Sequence, residues 1–326
     1  MFRYRRALIA VLAALLASAS LMVAAAELYP VRGLRFIVPQ SPGAQNDIQA
    51  RVIGQKLAEV FGQPVVMDNR PGAGGALGFE IAAQAPNDGY TLVLGSISTL
   101  SVIPVMPTKP RYDALKEFAP VTLISKSPYI LVVHPSMPVH SVKELVTLAK
   151  KKPGGVAYAT SGVGTGIHLT SELFNLTAGI KMYSVPYKGA APATVDLLAG
   201  HVPVMFNNVI PAIPHVKSGR LRALAVTSIA QAPAFPGVPT IAESGYKGFE
   251  SGSWQGVVTR AGVSPEVLKR LHSEIVKILR MPEVRDPIVA QGNEVIADTP
   301  QEFLSFIKTE MIKWEKVIKA SGVTAG

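Results

Sequence analysis

Cysteine is absent from the 326-residue chain, which excludes disulfides, thiolate nucleophiles and thiolate metal sites together. An oxidising compartment tolerates such a sequence. No His-Glu-X-X-His zinc motif and no Gly-X-Ser-X-Gly nucleophile elbow occurs, and His134, His140, His168, His201, His215 and His272 show no compact ligand spacing. Asn69-Arg70-Pro71-Gly72-Ala73-Gly74-Gly75 lacks the Gly-Lys-Ser or Gly-Lys-Thr ending of a phosphate loop, so it reads as a strand-to-helix turn bordering a cleft. Beyond residue 26 no apolar run approaches the ~20 residues of a membrane span. An enzyme is not expected, and neither cofactor nor metal is called for.

Acidic residues are also few, 22 against 32 basic ones, a formal charge of +10. Three of the basic residues, Arg3, Arg5 and Arg6, precede the apolar run from Ala7 to Leu16, and Ala24-Ala25-Ala26 offers a small-residue cleavage site before Glu27. Residues 1–26 therefore read as a secretory signal peptide of the ordinary export route, cleaved near Ala26, with a retained membrane anchor as the competing reading. The expected location is the periplasm, and the mature chain keeps a formal +7. Apart from Lys150-Lys151-Lys152, its basic residues are interleaved with Asp and Glu rather than gathered with aromatics, so nucleic acid is not an expected partner.

About 300 mature residues are more than one core usually serves, and two domains follow. Strand-length apolar runs alternate with stretches of helical period: 34–38 then 47–61, 64–67 then 76–85, then 91–94. After a middle section come 156–159 then 166–178, 182–185 then 191–198, 202–206 then 210–216, and 221–226. This alternation predicts an α/β fold of parallel sheets covered by helices on both faces. Ser141, Ser264 and Thr299 each stand where a helix cap is expected, the last within a capping box closed by Glu302.

Ligands of open α/β sheets bind beyond the carboxyl ends of the strands. Two stretches there repeat one device, a short strand, a small polar loop and a helix start, which offers backbone N–H groups and a positive dipole end to an anion. In the first, Gln40, Pro42, Gly43, Ala44 and Asp47 follow the strand at 34–38. Gly43 permits close approach, and Asp47 reads as a helix cap or as a receiver of a ligand ammonium. In the second, Ser161, Gly164, Thr165 and His168 follow the strand at 156–159, with hydroxyls able to donate to a carboxylate. His168 reads as a packing residue bonded to the loop or as a ligand contact. Tyr187, Lys188 and Gly189 form a third candidate, and Ser96, Ser98 and Asn207 are polar residues at the same edge.

The sequence resembles the Bug family, substrate-binding proteins related to the receptors of tripartite tricarboxylate transporters. The likeness runs in order along nearly the whole mature chain. It is carried by Pro42-Gly43 with Asp47 and Ala50-Arg51, by Asn69-Arg70-Pro71-Gly72-Ala73-Gly74-Gly75, and by Asp88-Gly89-Tyr90-Thr91-Leu92. It continues through Ser161-Gly162 with Gly164-Thr165 and His168-Leu169, Val185-Pro186-Tyr187-Lys188-Gly189, Leu221 to Thr227, and Trp254. The resemblance implies a type II periplasmic binding fold of two Rossmann-like lobes with a ligand cleft between them. It also implies a discontinuous first lobe (27–124 plus 228–326) and a second lobe (125–227) joined through two strands. It further implies a small carboxylate as ligand, gripped by Gly43, Ser161, Gly164 and Thr165, and presentation of that acid to a membrane permease or to a sensor receptor. Many members read Pro-Gly-Gly where this chain reads Pro42-Gly43-Ala44, which leaves the type of acid open. A monomer is expected because both lobes must move. The contrasting reading is an enzyme on the same scaffold with Asp47 and His168 as acid and base.

Overall fold

Four of the five residues in Leu34–Val38 are buried, the pattern of a strand covered on both faces. This strand, β1, has parallel neighbours on each side, β2 (Val65–Asn69) and β3 (Thr91–Ser96). Phe36 and Val38 enter one core with residues of helices α1 (Gln45–Phe61), α7 (Pro265–Arg280) and α8 (Pro282–Ala290). Ile37 and Val93 enter another, under α2 (Ala76–Ala83) and α9 (Pro300–Ser321). The computed structural model describes residues 29–290 and 292–323; the signal-peptide reading of 1–26 lies outside the described residues.

Two long strands join this sheet to a second. β4 (Phe118–Val133) pairs through Pro128 with β9 (Gly252–Arg260), and from Tyr129 onward with β7 (Val204–Asn208) and β8 (Arg222–Val226), antiparallel to all three. β9 in turn lies antiparallel to β3. Beyond β7 come the parallel strands β5 (Ala157–Thr160) and β6 (Tyr183–Pro186), and the two-residue β10 (Glu294–Val295) pairs with β4. The path is β2-β1-β3-β9-β4-β7-β5-β6. The sheet is therefore mixed rather than wholly parallel as the alternation suggested. One strand leaves the first lobe and another returns to it, so the two must run in opposite directions.

The second lobe packs α3 (Val142–Lys151), α4 (Gly166–Ala178), α5 (Ala190–Leu198) and α6 (Val209–Lys217) around its own core. That core also takes Ala232, Phe235, Ile241 and Phe249, while Ser251 N–H donates to Thr227 O at 3.1 Å. On this packing we place the return crossing near Ser251 and the outward one at Pro128–Tyr129, whereas the sequence placed them near Thr227 and Ile124. Helix ends follow local chemistry. Ser141, Ser264 and Thr299 each accept a backbone N–H of the first turn, and Thr299 with Glu302 completes the capping box.

The register positions the site. Ser96, the last residue of β3, lies opposite Gln255, which lies opposite Ser125 of β4. Four residues along β4, about 13 Å of strand, Tyr129 pairs with Asn208, the last residue of β7. The carboxyl edges of both sets of parallel strands thus face each other across a short stretch of β4.

Candidate functional site

On the first lobe the loop after β1 turns at Gly43, whose φ of 82° falls in the left-handed region that favours glycine. Asp47, third residue of α1 and 1% exposed, reaches back to this loop. Its Oδ2 accepts from the Gly43 N–H and from Arg51 Nε, each at 2.8 Å, and its Oδ1 accepts from Asn69 Nδ2 at 2.8 Å. Asn69 Nδ2 also donates to the Gln40 carbonyl at 3.0 Å. Burial pushes the Asp47 carboxyl up, but the donors from Arg51, Asn69 and Gly43 outweigh it and hold the group below the usual carboxylate range. Its lone pairs are committed within its own lobe. Asp47 therefore shapes the loop, and a ligand ammonium would find its carboxylate already occupied.

Ala44 precedes α1 in extended backbone, and no side chain caps the helix. Its first-turn amides are left for another acceptor. Nearby, Pro42 is exposed, and Ser96 and Ser98 are half-buried at the end of β3. The Ser96 N–H donates to Thr99 Oγ1 at 3.0 Å, fixing that turn.

On the second lobe Thr165 caps α4 and organises the loop around its hydroxyl. Oγ1 accepts from Ser161 Oγ at 2.9 Å and from the His168 N–H at 3.4 Å, and donates to Gly162 O at 2.8 Å. The Gly164 N–H donates to His168 Nδ1 at 3.0 Å, so the neutral ring carries its proton on Nε2. Burial lowers the imidazole pKa, with Glu172 opposing, and the ring lies nearly parallel to Tyr158 at 6.4 Å. His168 is thus the loop-bonded packing residue. Replacing Thr165 with valine keeps the shape and removes the cap. We expect a loss of about 1 kcal/mol, a fall in Tm of roughly 2 °C, measurable by thermal unfolding.

The neighbouring loop is tied to this one. Tyr187 N–H donates to Thr160 O at 3.0 Å and Gly189 N–H to Ser161 O at 3.2 Å, while the Tyr187 hydroxyl donates to Asp196 at 2.7 Å. Burial, then the bond to Asp196, push that phenol up to about 12. Lys188 is exposed. Asn207 is fully buried and spends its amide inside the lobe, donating to Thr194 Oγ1 at 3.0 Å and accepting from the Asn208 N–H at 2.8 Å. Gly189 and Asn208 begin α5 and α6, again without a side-chain cap.

The lobes also touch. A Cβ at Gly164 would lie 3.3 Å from Cε of Met106, and Leu169 of α4 packs in the core under α9. A cavity of about 1010 Å³ lies elsewhere, beside β10 and the crossing strands, with walls that include Lys126, Pro128, Val209, Trp254 and Phe306. None of the sequence-predicted residues lines it, and its lysines are engaged. Lys126 pairs with Glu250 at 3.4 Å, and Lys313 donates to the Glu250 carbonyl at 3.2 Å. Among the described residues no cluster of three or more His, Asp or Glu side chains is arranged for a metal ion.

Local sequence reading missed Arg51 and Met106 as parts of the site, and saw Asn69 only within a turn bordering the cleft. Asn69 stands 22 positions from Asp47, and only the β1–β2 pairing brings them together.

Paired loops and uncapped helix starts on two lobes joined through β4 define a two-lobed solute-binding protein. Residues 49–323 match the tripartite tricarboxylate transporter family receptor, and the chain belongs to that family. It is 38% identical to Protein BugT of Bordetella pertussis, over 97% of each chain. Among solved structures, Rpa4515 of R. palustris with adipate superposes with a TM-score of 0.75 at 33% identity, covering 91% of this chain and 99% of that one. MatC of Rhodopseudomonas palustris with bound malate gives a TM-score of 0.72 at 28% identity, over 89% and 100%.

Proposed function

We propose that the chain is an extracytoplasmic receptor that binds a small organic carboxylate between its lobes, closes on it and delivers it to a tripartite tricarboxylate-type permease. The observation that carries this reading is the set of helix starts without side-chain caps, at Ala44, Gly189 and Asn208, along the facing sheet edges. Such ends favour an anion without a buried cation. Arg51, the cation beside the first loop, is already held by Asp47 and Asn69. The adipate and malate carried by the two related structures support the same class of ligand. Gly43, Ala44, Ser161, Gly164, Thr165 and Gly189 are the proposed contacts, with Gln40, Pro42, Ser96, Ser98, Tyr187 and Lys188 around them. Asp47, His168 and Asn207 position the loops. Asp47 accepts three donors and His168 Nδ1 accepts the Gly164 N–H, which favours holding the loops as the role of both residues.

Thermal unfolding of residues 27–326 against mono-, di- and tricarboxylates, acidic amino acids and nucleotides tests the reading. A ligand at about 100 times its Kd stabilises the native state by about 2.7 kcal/mol. A rise in Tm with a few carboxylates is the expected result. No rise with any acid, after refolding to strip carried-over ligand, would sink the proposal.

A further inference from the structure

The cavity of about 1010 Å³ beside β10 lies on the far side of the crossing strands from the ligand loops. β9 and β10 both pair with Ser125 and Lys126 of β4, so they occupy opposite edges of that strand. The carboxyl ends of β1 and β3 lie beyond β9, and the cavity lies beyond β4. Successive residues of a strand also point to opposite faces. Ser125 and Gln255 share the row that ends at Ser96, whereas their neighbours Lys126 and Trp254 turn away from it and line the cavity.

The walls come from both lobes. The second lobe contributes Ile210 and Ile213 of α6 and Ile229 of the loop after β8; the first contributes Val289 of α8, Val295 of β10 and Phe306 of α9. Ile229 is 67% exposed, Val289 52% and Ile210 36%. Exposed apolar side chains scattered singly are ordinary, but three that converge on one cavity from two lobes form a patch in want of a cover. The lysines of the cavity are engaged and Arg285 pairs with Asp286 at 2.8 Å, so the surface without a partner is the apolar one. The lobes already meet along this lining, where a Cβ on Gly292 would lie 3.1 Å from Val209 Cγ1 and 3.2 Å from Ile210 Cδ1.

We infer that these apolar walls are a second interlobe interface, buried when the ligand cleft is open, and that their contact sets the receptor's affinity by opposing closure. The inference rests on the receptor reading above. The crossing strands run between cleft and cavity. A rotation about them that brings the ligand loops together draws the cavity walls apart, and the reverse rotation brings Ile210 and Ile229 onto Val289. The cover for each wall is therefore the facing lobe. A ligand has to separate the walls before the cleft shuts on it, and the apparent affinity falls in proportion to the fraction of molecules free to close. In this structure Gly164 of the ligand loop touches Met106 across the lobes while the cavity stands open, which is the closed-cleft end of that motion.

The test compares the wild-type chain with three variants. Ile229→Ser combined with Val289→Ser makes the facing walls polar, and Ala230→Trp sets a wedge on an exposed residue of the cavity. Ile312→Ser, at an exposed isoleucine of α9 outside the cavity, is the control. X-ray scattering without ligand reads the separation of the lobes, and calorimetric titration of the refolded proteins with adipate, malate and the wider carboxylate panel reads affinity. Both cavity variants should contract relative to the wild type without ligand. Both should bind the acid that the wild type binds at least about fivefold more tightly, with Ile312→Ser unchanged. Lost apolar contact and added bulk work by different means, so a gain common to both is not an effect of lowered stability. Ligand-free scattering identical to the wild type, unchanged or weaker binding in both cavity variants, or an equal gain in Ile312→Ser would each overturn the inference and leave the receptor reading standing. Failure of the wild type to bind any acid of the panel would instead overturn the receptor reading and this inference with it.

Discussion

Replacing Trp254 with alanine is expected to destabilise the protein by about 3–5 kcal/mol, the range for truncating a buried tryptophan. Trp254 is 2% exposed on β9, one of the two strands that join the lobes. Its ring meets Phe306 at 5.3 Å and Phe303 at 5.9 Å, both edge-on. Its Nε1 donates to Glu310 at 3.1 Å, the same carboxylate oxygen that accepts from Trp314 Nε1 at 3.0 Å, and Lys313 pairs with the other oxygen of Glu310. The alanine variant loses the packing of an indole and leaves the buried Glu310 with one donor fewer. Trp254→Phe retains most of the area and loses only the donor, so it should lose about 1–3 kcal/mol. Urea unfolding of both variants separates the two contributions. Equal losses would mean that the hydrogen bond, not the packing, carries the effect.

Asp47→Ala should combine lost stability with weakened binding. Removing one partner of a buried ion pair costs about 3–5 kcal/mol. Arg51 is about half exposed and can turn to water, so we expect about 2–3 kcal/mol here. Gly43 loses the acceptor that fixes its N–H, and carboxylate affinity should fall at least about tenfold, as read by titration of whichever acid the panel identifies. The pH dependence has a definite sign. The folded Asp47 carboxyl lies below its unfolded value, so its stabilisation is complete above the unfolded value of about 3.9. It is lost as pH falls through the folded one. Below about pH 4 the stability of Asp47→Ala should therefore decline less steeply than that of the wild type. His168 acts earlier in the same direction. Burial depresses its folded pKa, so its contribution is whole above about pH 6.5 and fades as pH falls through the lower folded value.

Much of this architecture is legible in the residues. The runs at 34–38, 166–178 and 221–226 fall on β1, α4 and β8 to within a residue, because each joins a clear apolar pattern to a clear stop, such as Gly179 in the left-handed conformation after α4. β4 and β9 are far less so. Pro120, Ser125, Lys126 and Pro128 interrupt any strand period in β4, and Gln255-Gly256 does so in β9, since both strands pass between two cores and through the polar edge of each. The resemblance, rather than the pattern, supplied the expectation of two crossing strands. At the site, the hydroxyl and glycine content of 160–168 was visible, but the use of Thr165 as the cap of α4 was not. The clamp on Asp47 was not, because a carboxylate looks the same in sequence whether it faces a ligand or an asparagine brought in from the next strand. Asn207 misleads for the same reason, its amide being spent on Thr194 and Asn208.

β9 lies between β3 and β4, although it is the ninth strand made. A nascent chain that has reached residue 250 holds β3 and β4 with no strand between them, each with an open edge where β9 will pair. The second lobe is completed first, from β4 and the contiguous stretch that follows it, and the first lobe closes only when residues 252–260 arrive from behind. Synthesis therefore leaves a window, up to the emergence of Arg260, in which half the protein is folded and half displays bare strand edges. Chains cut short before β9 should aggregate, and a chaperone that shields strand edges would act on this interval.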